Sequence, residues 1–95
     1  MRPIHRIPTH PGEVLREEFL RPLGHSAAAF ATHLRVSPRS VREIVRGRRR
    51  VTPETAWLLS QALGTTPEFW LNLQNAHDLV ARRPKRTVKR LRRAS

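Results

Sequence analysis

At 95 residues, with 19 Lys and Arg against 7 Asp and Glu, the chain carries a formal net charge of +12 and a sequence pI near 12.0. That length allows one small domain and a tail, in the range where self-association helps stability, and the charge points to a polyanionic partner. The lack of cysteine excludes disulfides and thiolate zinc sites. With no apolar run of the ~18 residues a membrane helix needs and no apolar leader at the N-terminus, a soluble, cytoplasmic protein without a membrane partner is expected.

Residues 1–10 contain two prolines and no periodicity. They read as an extended arm, with Ile4 and Ile7 available to the core. Arg2 and Arg6 would reach a minor groove or a phosphate, unless the arm is simply a frayed end. The first helix is predicted from Pro11 to Leu20, preceded by His10 or Thr9, with Pro11 in its first turn and Glu13 at its positive end. Val14, Leu15 and Phe19 should face the core, and Pro22 with Gly24 should close the segment. Glu17 and Glu18 point about 100° apart on a helix, so they do not converge as an acid/base pair and read as solvated.

Ser26 to Arg50 holds the informative stretch. Ala27, Phe30, Ala31 and Leu34 fall at i, i+3, i+4 and i+7, one apolar stripe behind the N-cap Ser26. Val41, Ile44 and Val45 repeat that spacing behind Ser37 as N-cap and Pro38 at the first helical position. The other side of this second helix carries Arg39, Ser40, Arg42, Glu43 and Arg46; Gly47 ends it and Arg48, Arg49 and Arg50 follow. Two short helices, the second buried along one edge and rich in arginine on the other, have the layout of a DNA-binding helix-turn-helix. The same spacing also suits a solvated helical hairpin in a small bundle.

A fourth helix is predicted from Thr52 to Leu63, with Thr52 as cap, Pro53 and Glu54 in the first turn, and Ala56, Leu59 and Leu63 buried; Trp57 and Leu58 belong to the core edge, Trp57 lining a surface groove. Gly64 stops this helix. The fifth opens on Thr66-Pro67-Glu68, the same cap chemistry. Phe69, Leu73, Ala76 and Val80 make one apolar face. Leu71 and Leu79 lie on another, with Asn75 between them and Trp70 widening the arc. Apolar residues on two faces of a terminal helix imply a second neighbour. A second copy of the chain is the expected occupant, which makes Trp70, Leu71, Asn75 and Leu79 the candidate dimer interface. The bland reading leaves Leu71 and Leu79 singly exposed.

The fold expected is therefore all-α: a five-helix domain over residues 11–81, an arm at 1–10 and a disordered basic tail at 82–95. Residues 1–81 hold eleven Lys and Arg against seven acids, a net of +4, whereas the last fourteen residues hold eight and no acid.

His10-Pro11-Gly12-Glu13, Glu18-Phe19-Leu20, Pro22-Leu23-Gly24, Ile44-Val45-Arg46-Gly47 and the segment from Leu63 to Gln74 together resemble the HigA antitoxin family. This is a branch of the lambda-repressor-like (Xre) helix-turn-helix proteins, also called VapI. The likeness covers about residues 8–81. It implies a five-helix homodimer that binds an operator in its own promoter. It also implies a cognate HigB-like toxin, a small ribosome-dependent ribonuclease of the RelE type, neutralised by complex formation. Two features depart from the pattern. Ala27, Ala28 and Ala29 occupy a turn where members often carry a polar residue available to a phosphate. The tail after Arg82 lies outside the shared pattern, and its +8 charge suits a DNA or RNA contact better than neutralisation of a basic toxin.

In a repressor of this kind, Arg39, Ser40, Arg42 and Glu43 would read base edges, the guanidinium groups each donating two bonds to guanine. Glu43 would accept from cytosine or else orient Arg39 or Arg46. Ser37, Arg46, Arg48, Arg49 and Arg50 would hold phosphates. A toxin would find the arm, the first helix with Glu17 and Glu18, or the exposed side of the last helix. Two other readings are a stand-alone regulator and a non-specific nucleic-acid binder acting through residues 82–95. An enzyme is least favoured: His5, His10, His25, His33 and His77 show no metal-ligand spacing, and no glycine-rich phosphate loop exists. No cofactor, metal or small-molecule ligand is expected.

Overall fold

Four of the five helices begin on the same chemistry, a hydroxyl oxygen accepting from the backbone N–H three residues on. Ser26 does this for Ala29 at 3.0 Å, Ser37 for Ser40 at 3.2 Å, Thr52 for Thr55 at 3.3 Å and Thr66 for Phe69 at 3.1 Å. Each bond satisfies one N–H that the helix itself leaves without a partner. Proline follows the cap in three of these helices, where its missing N–H costs nothing. The computed structural model describes residues 7–94. Its helices are α1 (residues 11–23), α2 (Ala27–Leu34), α3 (Pro38–Val45), α4 (Pro53–Leu63) and α5 (Pro67–Ala81), and no strand occurs among the described residues.

The first helix is longer than predicted and not uniform. It is α-helical over Pro11–Val14, widens to a π-helix over Leu15–Leu20, and returns to α over Arg21–Leu23. The Arg21 N–H donates to the carbonyl of Arg16, five residues back. Pro22 explains the widening: in a regular α-turn its ring would meet the carbonyl of Glu18, and it has no N–H to give. The wide turn carries the helix through Pro22 rather than ending before it. Gly24, at φ 73°, then stops it. Gly64 stops α4 at φ 72° in the same way.

Leu15, Leu20, Phe30, Ala31, Val41, Ile44, Val51, Ala56, Leu59 and Trp70 make one continuous core. The stripes predicted for α2, α3 and α4 are the ones that face it, with Ala27, Leu34, Val45 and Leu63 at its half-buried margin. Packing is pairwise: α2 lies along α3, α4 along α5, and the start of α1 bridges α3 and α5.

Three expectations are corrected. Ile7 does not join the core; it is half exposed. Trp57 is 58% exposed, well outside the core edge assigned to it. On α5 the buried line is Trp70 and Gln74, whereas Phe69, Ala76 and Val80 of the predicted core face are exposed. Trp70 accordingly leaves the dimer-interface set. It is 0% exposed, packed against Phe19 and Phe69 at ring separations of 5.4 and 5.0 Å, and its indole N–H donates to Thr65 Oγ1 at 2.7 Å. Arg2, Ile4 and Arg6 lie outside the described residues. From Ala81 to Ala94 every residue is exposed, and residues 83–94 have no regular secondary structure.

Candidate nucleic-acid interface

Helix α3 is fixed from one side and bare on the other. Val41 and Ile44 are buried against α2 and the core, which turns Arg39, Arg42, Glu43 and Arg46 (i, i+3, i+4 and i+7) away from it. The Arg39 and Arg42 side chains are exposed, and Arg42 has no acidic partner among the described residues. The Ser40 hydroxyl donates to the Ser37 carbonyl at 2.7 Å while the Ser37 hydroxyl caps the helix. Both serines thus shape the N-terminal end of α3 and keep lone pairs to offer.

The far end of α3 is positioned by α1. A Cβ on Gly12 would sit 1.6 Å from the carbonyl oxygen of Ile44 and 3.0 Å from the Cα of Val45. Only glycine lets the two backbones approach so closely. His10 settles the cap of α1: its Nδ1 accepts from the Gly12 N–H at 2.9 Å, and its ring lies against Gly47, the left-handed residue that ends α3. Burial, reinforced by the neighbouring His77 and only partly offset by Asp78, holds the His10 pKa below the ordinary 6.5. The lowered pKa favours the neutral imidazole, the form an accepting Nδ1 requires.

Of the three loop arginines, two are tethered. Arg49 donates to Glu43 through Nε at 3.2 Å and Nη2 at 2.6 Å, and this pair holds the Glu43 carboxyl below its usual value. Arg39 stands 3.8 Å from the same carboxylate. The partner of Glu43 is therefore Arg49, with Arg39 next to it; Arg46, named as an alternative from the sequence, makes no such pair among the described residues. Arg50 lies 2.8 Å from Asp78 of α5. Burial raises the Asp78 pKa, but the Gln74 hydrogen bond, Arg50, His77 and Arg82 outweigh it and leave it lowered. Arg48 is exposed without an acidic partner among the described residues.

Behind the loop stands a polar cluster that sequence reading did not single out. Gln74, 1% exposed, accepts from the Val51 N–H at 2.7 Å and donates to Asp78 at 3.1 Å. His77 packs edge-on against His10 at 5.0 Å, its Nδ1 3.6 Å from Asp78. One turn of α5 thus grips the start of α1 and the end of the arginine loop together. The available signal was the i, i+4 pair Gln74 and Asp78 on one side of the helix. On the outer side of α5, Leu71 is half-buried while Asn75 and Leu79 are exposed, Leu79 by 75%. Glu17 lies within 3.0 Å of both Arg16 and Arg21, a surface arrangement and no converging carboxylate pair.

This arrangement offers guanidinium donors on a rigid helix, more on the loop behind it, and carboxylates that aim rather than cancel them. Comparison with known proteins agrees with it. The helix-turn-helix family matches residues 15–70. Virulence-associated protein I of Dichelobacter nodosus is 48% identical over 80 residues, covering 83% of this chain and 74% of that one. Among solved structures, antitoxin GraA superposes with a TM-score of 0.78 at 53% identity, over 80% of this chain and 82% of its own. The Pseudomonas aeruginosa antitoxin HigA with the higBA promoter superposes with a TM-score of 0.77 at 41% identity, over 79% and 82%. This chain belongs to the helix-turn-helix family and, within it, to the HigA and VapI-like antitoxins.

Proposed function

We infer that this protein is a homodimeric repressor of its own operon and neutralises a HigB-like ribonuclease toxin by complex formation. The observation that carries the DNA-binding part is the one-sided α3: a buried edge at Val41 and Ile44 and an exposed row of arginines, on a fold similar to one solved with its promoter. In this reading α3 enters the major groove by its N-terminal end. Arg39 and Arg42 read bases, and Ser40 contacts a base or phosphate. Glu43 acts on the bases mainly by aiming Arg39, and it steadies Arg49 for a phosphate, since its carboxylate is already engaged. Ser37, Arg46, Arg48, Arg49 and Arg50 take phosphates, giving affinity and register without sequence information. A guanidinium has five N–H donors, so Arg49 and Arg50 keep some for phosphate while paired.

Leu71, Asn75 and Leu79 on the outer side of α5 are assigned to the second copy, with the exposed Phe69, Ala76 and Val80 beside them. Two-fold symmetry would place α3 helices on half-sites about one helical turn apart. The toxin would take the surfaces that dimer and DNA leave, the outer side of α1 with Glu17 and Glu18 among them.

Fluorescence anisotropy on DNA from upstream of the protein's own gene, against a scrambled duplex, tests the repressor. Replacing Arg39 or Arg42 with alanine should cost about 1–3 kcal/mol on the native duplex and relax one base position. Equal affinity for both duplexes would refute it. Co-purification with the product of the adjacent gene tests neutralisation, and no complex at micromolar concentration would count against that part.

A further inference from the structure

The last fourteen residues are not used by any of this, although they hold two thirds of the net charge. Helix α5 ends at Ala81, and Pro84 bars its continuation. The root of the tail, Arg82 to Pro84, shares one cleft with Arg50 of the arginine loop and with Asn75, Asp78 and Leu79 of α5. Arg82 stands close enough to Asp78 to lower its pKa. The tail therefore leaves the fold beside the loop that follows α3. It finds nothing on the domain to rest on: Val88 and Leu91 are 80% and 95% exposed.

Its cations are not scattered. Lys85, Arg86, Lys89, Arg90, Arg92 and Arg93 form three adjacent pairs separated by four and then three residues. Placed on a helix at about 100° per residue, all six fall within an arc of about 160°. Thr87, Val88, Leu91 and Ala94 fill the rest. A helix begun at Pro84 would have proline at its first position, where it is favoured. Free in solution, six like charges on one face repel and oppose helix formation. Phosphates along that face would remove the repulsion.

We propose that residues 84–94 are a second DNA-binding element, folding on duplex DNA into a helix whose cationic face lies on the phosphates next to those held by the arginine loop. Duplex DNA is the chosen polyanion because the tail starts at the DNA-facing loop, so this inference rests on the repressor reading. Even fully extended, eleven residues span only about 36–40 Å, so the added contact lies within about one helical turn of the loop's phosphates.

The test uses the full chain and two variants. One carries glutamine at all six cationic positions; the other is Leu91→Pro, which keeps every charge but cannot complete the helix. Operator binding is followed by anisotropy over a salt series, and helix content by circular dichroism on adding DNA. The full chain should gain ellipticity at 222 nm on binding, and both variants should lose that gain. The glutamine variant should flatten the slope of log affinity against log salt by about 3–5 per protomer, at roughly 0.9 per phosphate contact. Its preference for operator over scrambled DNA should persist, because α3 carries that preference. An unchanged salt slope would overturn the proposal, and so would helix gained on anionic phosphatidylserine vesicles but not on DNA. Loss of operator preference by the full chain would instead refute the repressor reading.

Discussion

Gly12 and His10 show how much of the recognition surface depends on residues that never face it. Gly12 is in the first turn of α1, where alanine has the higher helix propensity, yet a Cβ there would overlap the Ile44 carbonyl. Gly12→Ala should lower stability by on the order of 1–3 kcal/mol or more, because the obstacle is backbone and cannot swing aside. Chemical denaturation measures it, and an unchanged midpoint would mean that the two helices separate freely. His10 makes the same junction sensitive to pH. Its folded pKa lies below the 6.5 of the unfolded chain, so the unfolded state takes the proton first. The stability it confers is complete above about pH 6.5 and is lost as pH falls through the folded value. Thermal melts between pH 7.5 and 5 should show the loss, and His10→Asn, which caps without titrating, should flatten the profile. The cap of α1 was legible to within one residue, His10 or Thr9, because it lies next to the helix it serves. The demand for glycine at position 12 was not, because it is made by a residue on another helix.

The same contrast holds for whole helices. Caps, prolines and stop glycines are local, and they placed four helices correctly. On α2, α3 and α4 the apolar stripe is also the buried stripe. On α5 it is not, since the most deeply buried line includes Gln74, whose amide accepts from Val51 and donates to Asp78. Hydropathy counts a glutamine as surface and so rotates the helix, putting Trp70 outside and Phe69, Ala76 and Val80 inside. Likewise the π-turn of α1 follows from Pro22 but reads in sequence as a stop. Gln74→Leu provides the check. By hydropathy it should be harmless; by the structure it leaves the buried Val51 N–H without an acceptor and should cost about 1–3 kcal/mol. A calorimetric melting temperature equal to that of the unsubstituted protein would show that the Val51 bond contributes nothing.

At the scale of the whole molecule, the arginine loop and the outer side of α5 adjoin, since Arg50, Asn75 and Leu79 line one cleft. Leu79→Glu would set a charge beside Asn75, in the cleft that Arg50, Arg82 and Arg83 also line. In sedimentation it should shift a dimer towards monomer and weaken operator binding, while leaving helix content unchanged. A dimer that persists would place the self-association surface elsewhere. The helix-turn-helix and its exposed arginines were legible from Ser26 to Arg50 because the motif is one continuous segment. The grip of α5 on the loop was hidden because it joins residues far apart in the chain. That grip has a thermodynamic consequence. Asp78 and Gln74 hold the arginine loop from the inner side of the helix that presents Leu79 outward, so one rigid element feels both surfaces. An occupant of the outer side that shifts α5 by favouring one loop position changes DNA affinity by some factor. By reciprocity, DNA must change that occupant's affinity by the same factor.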